Sequence, residues 1–384
     1  MPNFDLPTPS AEALAHSDRL TALIRGEIDA SSGWIPFSRY MELALYAPGL
    51  GYYTAGARKL GREGDFITAP EMTPLFGQTL ARQAAEVLES GFEQILEIGA
   101  GSGALAASLL AELERMDRLP RNYYILEVSP DLRERERDLL AAKVPHLLER
   151  VTWLNQLPTV YPGLVIANEV LDAMPVHIVR GAASGAEEGG VTREGDAFAW
   201  AWRPAAAELL ATAAALQLPE GYQSEIQLVA CGFVRSLAQS MAKGVILLID
   251  YGFPAHEYYH GQRGEGTLMC HYRHRAHGDP FFLPGLQDIT SHVDFSAVAR
   301  AGEEAGLELL GYAGQAQFLI NCGITDILLR TPPEDAAAYL PQASAAQQLL
   351  SPSEMGELFK VIAFGKDYAA PLMGFAEGER SHSL

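Results

Sequence analysis

The sequence has few cysteines and few basic residues, and both shortages exclude whole classes of protein. Its 384 residues contain three cysteines, Cys231, Cys270 and Cys322. These are widely spaced and odd in number, so they offer neither a disulfide framework nor a Cys-x-x-Cys metal site, and they fit a reducing compartment. Lys and Arg number 28 against 48 Asp and Glu, a formal net charge of -20. Such acidity disfavours nucleic acid and suits a basic protein segment, although it also serves solubility alone.

Long apolar runs are missing as well, and the start of the sequence does not predict a leader peptide. No window approaches the ~18 uninterrupted apolar residues of a membrane span. The segment from Met1 to Ser17 has no basic stretch followed by an apolar one, and it contains Asp5 and Glu12, whereas a mitochondrial transit peptide is rich in Arg and poor in acids. We therefore expect a cytoplasmic protein with no membrane insertion. Its length and hydrophobic content of 48% suit two or three structural units, and an oligomer stays open.

The hydrophobic pattern predicts an N-terminal helical region followed by alternating strands and helices. Apolar residues recur at helical spacing from Ala11 to Tyr46, and residues 72–90 predict another helix. A long irregular loop, 51–74, separates the two, and such loops are usually functional or mobile. Strands are expected near 94–98, 123–126, 151–153, 164–167, 244–249, 307–311 and 359–364, with helices near 103–116 and 130–142. This alternation indicates a doubly wound α/β sheet that is mainly parallel.

Two stretches are too long to be simple connections of such a sheet. Residues 176–240 include Gly- and Glu-rich turns and an alternating aromatic stretch, which predict an inserted β-hairpin and helices at the carboxyl edge. Residues 252–292, dense in His, Gly and Pro, form a second loop region. The expected domains are a helical region with a lid loop (1–90), a first half of the core (91–175), an insertion (176–243) and a second half with a substrate loop (244–384).

The most informative motif is Gly99-Ala100-Gly101-Ser102-Gly103, which follows an apolar strand and opens an Ala-rich helix. Glycine has no Cβ, so the chain can turn sharply and approach a ligand closely at the helix N-terminus. The spacing fits both a dinucleotide fingerprint and the turn of methyltransferases. Glu127 closes the next strand, where a carboxylate can accept hydrogen bonds from both ribose hydroxyls. Together these features predict an adenosine ligand, either NAD or S-adenosylmethionine.

The flanking acids favour S-adenosylmethionine. Glu97 places a carboxylate where the cofactor carries an ammonium, whereas a pyrophosphate there would be repelled. The fourth strand ends in Asn168-Glu169, with Asp172 soon after, at the edge of the sheet where ligands of α/β proteins react. The structural alternative for Glu169 and Asp172 is stabilisation of a helix N-terminus.

The segment from His271 to His277 holds three histidines at spacings of three, which resembles the geometry of metal ligands. Arg273 and Arg275 lie within the run and would oppose a cation. We therefore expect structural hydrogen bonds or substrate contact there, and no metal site. His292 is interpreted in the same way.

Taken together, these blocks resemble the MidA-like class I methyltransferases, whose mitochondrial members are complex I assembly factors that methylate an arginine of a complex I subunit. The resemblance covers roughly residues 15–367. It rests on the segments 64–71, 76–77, 97–103, 127–129, 168–175, 249–252, 266–268 and 288–295. One departure is that Ala100 and Ser102 stand where family members often have Pro and Arg, with the spacing kept.

The resemblance implies a Rossmann-like seven-stranded sheet that binds S-adenosyl-L-methionine and releases S-adenosyl-L-homocysteine. The residues expected at the cofactor are Glu97, Gly99, Ala100, Gly101, Glu127 and Asn168, with Asn155 near the adenine and Thr68 and Pro70 in a covering lid.

Methylation of an arginine would need carboxylates, because the guanidinium is always protonated and must be held while one nitrogen is polarised. Glu169 and Asp172, joined by Glu225 from the insertion, are the candidate catalytic residues. Two alternatives stay open. One is a small-molecule methyltransferase, in which a histidine base would suit a hydroxyl nucleophile. The other is a cofactor-binding assembly factor with little turnover.

Overall fold

The computed structural model describes residues 6–55, 68–183 and 185–384. The helices are α1 (Ala11–Ala30), α2 (Phe37–Tyr46), α3 (Ala69–Met72), α4 (Pro74–Glu89), α5 (Ala104–Arg115), α6 (Pro130–Lys143), α7 (Ala207–Leu216), α8 (Leu228–Ser240), α9 (Ala255–Tyr258), α10 (Phe295–Glu304), α11 (Gln315–Asn321), α12 (Ile324–Leu328), α13 (Ala336–Leu350) and α14 (Met355–Leu358).

The strands are β1 (Ile35–Pro36), β2 (Gln94–Ile98), β3 (Asn122–Leu126), β4 (Val151–Leu154), β5 (Tyr161–Asn168), β6 (His177–Ala182), β7 (Gly185–Glu194), β8 (Ala197–Pro204), β9 (Gln223–Ile226), β10 (Met241–Phe253), β11 (Met269–Tyr272), β12 (Arg275–His277), β13 (Asp288–Thr290), β14 (Val293–Asp294), β15 (Glu308–Gly314) and β16 (Phe359–Lys366).

These elements divide into two compact units. The described part of unit 1 is 6–55, 171–183, 185–230 and 255–294, and that of unit 2 is 68–170, 231–254 and 295–384. The boundaries of these two units differ from the domain boundaries expected from the sequence. The expected boundaries separate functional segments, and they stay a prediction. In the part of the chain that the structure describes, no helix is both long and apolar enough to cross a membrane.

Unit 2 is built on a single large sheet. Among its described residues, seven strands lie in the order β15-β16-β10-β5-β2-β3-β4. The five strands from β10 to β4 run parallel, and β16 is antiparallel to both β10 and β15. The central strands β5 and β10 are almost continuously apolar, as expected of strands covered on both faces. The predicted doubly wound α/β sheet is confirmed.

Close packing of α4 on α5 fixes the helix that follows the glycine turn. A Cβ added at Gly77 of α4 would lie 2.0 Å from the Ser108 Oγ of α5, so the crossing needs a glycine at that point. Leu80 and Leu109, both at most 1% exposed, belong to the core cluster that these helices share with the sheet. Burial of such side chains, at roughly 1.5–3 kcal/mol each, holds α5 and therefore the turn in place.

Unit 1 contains the helical N-terminal region and most of the predicted insertion. In its described residues, β9-β6-β7-β1 form an antiparallel sheet with β8 also paired to β7, and β12-β11-β13 form a smaller one. The predicted hairpin is therefore present, and the alternating aromatic stretch forms β8. Phe37 of α2 stacks on Trp200 of β8 with ring centres 4.8 Å apart, which anchors the N-terminal helices on this sheet.

Candidate active site

The glycine turn of unit 2 has the conformation that its sequence predicts. Gly99, Gly101 and Gly103 have φ angles of 66°, 60° and 82°. Residues with a Cβ pay about 1–2 kcal/mol in this region, which explains the three glycines. The Gly99 N–H donates to the Leu126 carbonyl at 3.1 Å, and the Gly103 N–H donates to the Ala100 carbonyl at 2.8 Å. The turn thus delivers the chain to the N-terminus of α5, where backbone N–H groups have no intrahelical acceptor.

Strand register brings the predicted residues onto one edge of the sheet. Ile98 pairs with Leu126 and Ala167, and Leu126 pairs with Leu154. The residues that come next in each strand are Gly99, Glu127, Asn155 and Asn168. Because neighbouring strands lie about 4.8 Å apart, this row spans about 14 Å. It is long enough for an extended ligand that joins a nucleoside to an amino acid.

Glu127 is held by the start of α6. Its side chain is buried, and Oε1 accepts a hydrogen bond from the Ser129 N–H at 2.7 Å. Burial raises the pKa of Glu127 above its ordinary value, against the lowering effect of the Ser129 and Val128 N–H groups. These donors orient the carboxyl group where the resemblance expects a ribose.

Glu97 lies deeper in the same unit. It is 2% exposed, and the Tyr123 hydroxyl donates to its Oε2 at 2.6 Å. Burial raises the pKa of Glu97 to about 7, although the Tyr123 hydrogen bond lowers it. The predicted contact of Glu97 with an ammonium stays a prediction.

The end of β5 carries a strained residue and an unsatisfied amide. Glu169 has a φ of 54°, which is uncommon for a residue with a long side chain and typical of functional sites. Its N–H donates to the Ile249 carbonyl at 2.9 Å, and its Oε1 accepts from the Asn168 Nδ2 at 3.1 Å. Within the described residues the buried Oδ1 of Asn168 accepts no hydrogen bond.

Asp250, for which the sequence predicts no catalytic or binding role, supports this strained turn. Its side chain is fully buried within β10, and its Oδ2 accepts from the Val170 N–H at 3.2 Å. Its Oδ1 accepts from the Tyr251 N–H at 2.9 Å. An acid that directly follows the apolar run predicted as a strand, 244–249, is the signal that could have revealed it.

Part of the predicted lid lies in unit 2. Thr68 precedes α3, and its N–H donates to a Glu71 carboxyl oxygen at 3.5 Å, while Pro70 lies in the first turn of that helix. Helix α3 packs on α5, the helix that the glycine turn opens. The remainder of the predicted lid loop, 64–67, lies outside the described residues.

The other two predicted catalytic acids belong to unit 1. Asp172 is 6% exposed, and its carbonyl accepts from the Ser291 N–H at 3.0 Å. Glu225 is 1% exposed, and its carboxylate accepts four hydrogen bonds, from the N–H groups of Thr267 and Leu268 and the hydroxyls of Tyr258 and Thr267, at 2.8 to 3.1 Å. A carboxylate offers about four lone-pair sites, so a guanidinium would have to displace one of these donors.

The histidine run of unit 1 forms the β11–β12 hairpin. The Asp279 N–H donates to the His277 Nδ1 at 3.3 Å, and the backbone N–H of His292 donates to the Thr267 Oγ1 at 3.0 Å. Over the described ranges, no group of three or more His, Cys, Asp or Glu side chains is placed to hold a metal ion.

Comparison with known proteins agrees with this geometry. The profile of a family of S-adenosyl-L-methionine-dependent methyltransferases matches residues 79–313. The mitochondrial protein arginine methyltransferase NDUFAF7 of Mus musculus is 31% identical, with 91% of this chain and 85% of that protein covered. The chain belongs to this family of S-adenosyl-L-methionine-dependent methyltransferases. The Drosophila melanogaster homolog of NDUFAF7 is 28% identical, over 98% of this chain and 92% of its own length.

A solved structure supports the same conclusion. A protein from Burkholderia thailandensis, crystallised with S-adenosyl-homocysteine, is 53% identical and superposes with a TM-score of 0.96, covering 99% of this chain and 100% of that one. The predicted class I methyltransferase fold and the S-adenosyl-L-methionine cofactor are thereby confirmed. The expected cytoplasmic location is contradicted, because the relatives from Mus musculus, Drosophila melanogaster and Homo sapiens are mitochondrial. Acidic residues near the start of the chain do not decide its compartment.

The methyltransferase's own residues fit this cofactor. A buried carboxyl group ends β3, an unsatisfied amide oxygen ends β5, and both are the acceptors that hydroxyl and ammonium groups need. A Cβ at Gly99 would lie 3.0 Å from the Val170 Cγ2, so a larger residue there would crowd Val170 in addition to the strain of the positive φ. The cofactor supplies an electrophilic methyl group on a sulfonium, from which a neutral sulfide departs.

Proposed function

We propose that this methyltransferase acts on an arginine nitrogen of a protein partner, such as a subunit of respiratory complex I. The observation that carries the proposal is the 31% identity to the mouse protein arginine methyltransferase across 91% of the chain. The partner named by the family resemblance is a complex I subunit. The net charge of -20 supports an acceptor segment that is basic, because opposite charge speeds and orients association.

We assign cofactor binding to the carboxyl edge of the seven-stranded sheet. The turn of Gly99, Ala100 and Gly101 would approach the cofactor through its backbone, and Glu127 would accept hydrogen bonds from the ribose hydroxyls. Asn155, at the end of the row, suits the adenine. The remaining assignments are Glu97 and Asn168 for the amino-acid half, with Thr68 and Pro70 as cover.

The acceptor side of the proposal rests on carboxylates. An arginine has a pKa above ~12, so the enzyme must hold the guanidinium, aim one nitrogen at the methyl group and take up its proton. Glu169 is placed for this by the strained turn and by the Asn168 amide, and Asp172 follows three residues later. Glu225 stays a candidate catalytic residue, and it could bind a guanidinium only by releasing one of its four donors.

Methyl-proteomics of cells with and without the protein tests the proposal. We expect one arginine to lose its methylation, and the wild-type chain to restore it. An unchanged arginine methylome, with methyl label from the cofactor found in metabolites, would instead establish a small-molecule acceptor. A Gly99→Val chain that restores the cellular function without methylation would establish an assembly factor that needs no turnover.

A further inference from the structure

Helix α6 packs directly on the glycine turn through a residue that the proposed function does not use. Glu136 is fully buried in unit 2. A Cβ added at Gly103 would lie 3.2 Å from the Glu136 Cα and 3.5 Å from its Cβ and Cγ. The backbone and side-chain stem of Glu136 therefore limit the shape of the last residue of the turn.

The carboxyl group of Glu136 reaches the neighbouring strand. Trp153 of β4 donates its Nε1–H to the Glu136 Oε2 at 2.6 Å. The other oxygen, Oε1, is buried and has no hydrogen-bond partner among the residues that the structure describes. Trp153 comes two residues before Asn155, and the Arg137 guanidinium lies 4.7 Å from the centre of its ring. Glu136 thus connects the glycine turn to the end of the strand assigned to the adenine.

A second residue of α6 acts on the same edge. The Arg133 Nε donates to the Glu127 carbonyl at 2.5 Å, and its guanidinium also donates to the Leu154 carbonyl. Arg133 thereby joins the ends of β3 and β4 immediately beside the row of cofactor residues. Together Arg133 and Glu136 make α6 the element that positions the turn relative to these two strand ends.

The charge of Glu136 matters because other acids share its surroundings. Burial raises the pKa of Glu136 to about 9; the Trp153 hydrogen bond lowers it, Glu127 and Glu97 raise it further, and Arg133 lowers it. The groups that face this region are Glu97 of β2, Tyr123 of β3, Glu127 after β3, and Arg133 and Arg137 of α6. At neutral pH the carboxyl group is protonated, and its ionisation would add a negative charge beside Glu97 and Glu127.

We propose that Glu136 is a positioning residue for the cofactor: its side chain, packed on Gly103 and hydrogen-bonded to Trp153, holds the glycine turn against the end of β4, and a negative charge on it disturbs this packing and lowers cofactor affinity. The inference rests on the proposed placement of the cofactor on the glycine turn and is independent of the methyl acceptor.

Calorimetric titration with S-adenosyl-homocysteine across the pH range tests this role. Because the protonated form binds, affinity is complete below the pKa of Glu136 and is lost above it, by about tenfold for each further pH unit. We expect wild-type affinity to fall about tenfold between about pH 8 and about pH 10. Glu136→Gln, which is neutral throughout, keeps the affinity of the neutral-pH wild type and loses the part of the decline that Glu136 causes. Any effect of Glu97 on the pH dependence of the affinity is common to the wild type and to Glu136→Gln.

Two further variants make the test decisive. Glu134→Gln changes an exposed acid of the same helix and should keep the wild-type profile. Trp153→Phe removes the N–H that favours ionised Glu136, so its decline should move to higher pH. If Glu136→Gln does not fold, the shift of the Trp153→Phe decline to higher pH tests the role of Glu136 by itself.

Identical profiles for wild type and Glu136→Gln, or a loss of affinity by Glu136→Gln at neutral pH, would overturn the role of Glu136 alone. Unchanged binding by Gly99→Val would instead overturn the proposed cofactor site.

Discussion

Backbone conformation limits which residues can occupy the positions just before and just after β2. Gly99 and Gly91 both have positive φ angles, of 66° and 96°. A Cβ at Gly99 would lie 3.0 Å from the Val170 Cγ2, whereas nothing lies within 4 Å of a Cβ at Gly91. The two positions share the strain of a left-handed conformation, but only Gly99 belongs to the proposed site. They therefore form a matched pair for mutagenesis.

We expect Gly99→Val to lower the affinity for S-adenosyl-homocysteine by at least ~100-fold, equivalent to about 2.7 kcal/mol, because the side chain meets Val170 and distorts the turn. Gly91→Val should bind normally. Both variants should lose about 1–2 kcal/mol of unfolding free energy to backbone strain. Calorimetry and urea denaturation give the two quantities. Equal loss of affinity in both variants would show that the effect is general destabilisation.

Glu169 carries the proposed chemistry and is best tested by removing its charge. Glu169→Gln keeps the shape of the side chain but cannot take up the proton of the guanidinium, so methylation should fall by at least ~100-fold. Cofactor affinity should stay within about threefold, a change of under about 1 kcal/mol. The assay is methyl transfer to the acceptor found by methyl-proteomics, with the exposed Glu149→Gln as control. Primary loss of cofactor binding would make Glu169 a cofactor ligand instead.

Among the elements, α5 is tied to a distant part of unit 2 by a buried acid. The Glu112 side chain is 2% exposed and accepts from both terminal nitrogens of Arg330 at 2.8 and 2.9 Å, and from Arg115 at 2.8 and 3.0 Å. Burial acts to raise the pKa of Glu112, but the hydrogen bonds of Arg115 and Arg330 bring it below its usual value. The cluster anchors α5, and with it the turn, to the segment after α12.

We expect Arg330→Ala to lower the free energy of unfolding by about 1.5–3 kcal/mol at neutral pH, because it removes hydrogen bonds to a buried charge. Arg118→Ala breaks an exposed pair with Glu89 and should leave the free energy of unfolding almost unchanged. The folded-state pKa of Glu112 is depressed, so its contribution is complete above the unfolded pKa of about 4.3 and is lost as the pH falls below it. Urea unfolding at neutral and acid pH measures these free energies. Equal losses of stability in Arg330→Ala and Arg118→Ala would contradict the proposed role of the buried cluster.

Most elements of the sheet could be predicted from the sequence, because each depends on local patterns. Apolar runs predicted β5 and β10, which are buried on both faces, and the Gly-x-Gly-x-Gly spacing predicted a turn that only residues without a Cβ adopt at low cost. The row from Asn155 to Asn168 followed from parallel strands ending at one edge. The four donors around Glu225 could not be predicted, since they come from residues 258–268, brought together by folding.

The whole chain carries a net charge of -20, which should attract a basic partner electrostatically. We expect a peptide of alternating Arg and Gly to bind more weakly as NaCl rises from about 0.01 M to about 1 M, because the Debye length shortens from about 30 Å to about 3 Å. Affinity for S-adenosyl-homocysteine, which has no net charge, should change far less. Fluorescence anisotropy measures the first and calorimetry the second. A peptide of alternating Glu and Gly is the control, and salt-independent binding of the Arg peptide would mean that the acidity serves solubility.

Local chemistry was sufficient to predict the α/β sheet, the glycine turn and an adenosine ligand, since side-chain period and the lack of a Cβ act over a few residues. The folded arrangement was needed for contacts between distant positions. Arg330 reaches Glu112 across 218 residues, and Glu136 meets Gly103 through the packing of α6 on the turn. The division of Glu169 into one unit and of Asp172 and Glu225 into the other likewise depends on how the chain folds back on itself. Such contacts depend on which surfaces pack together, and no short stretch of sequence encodes that.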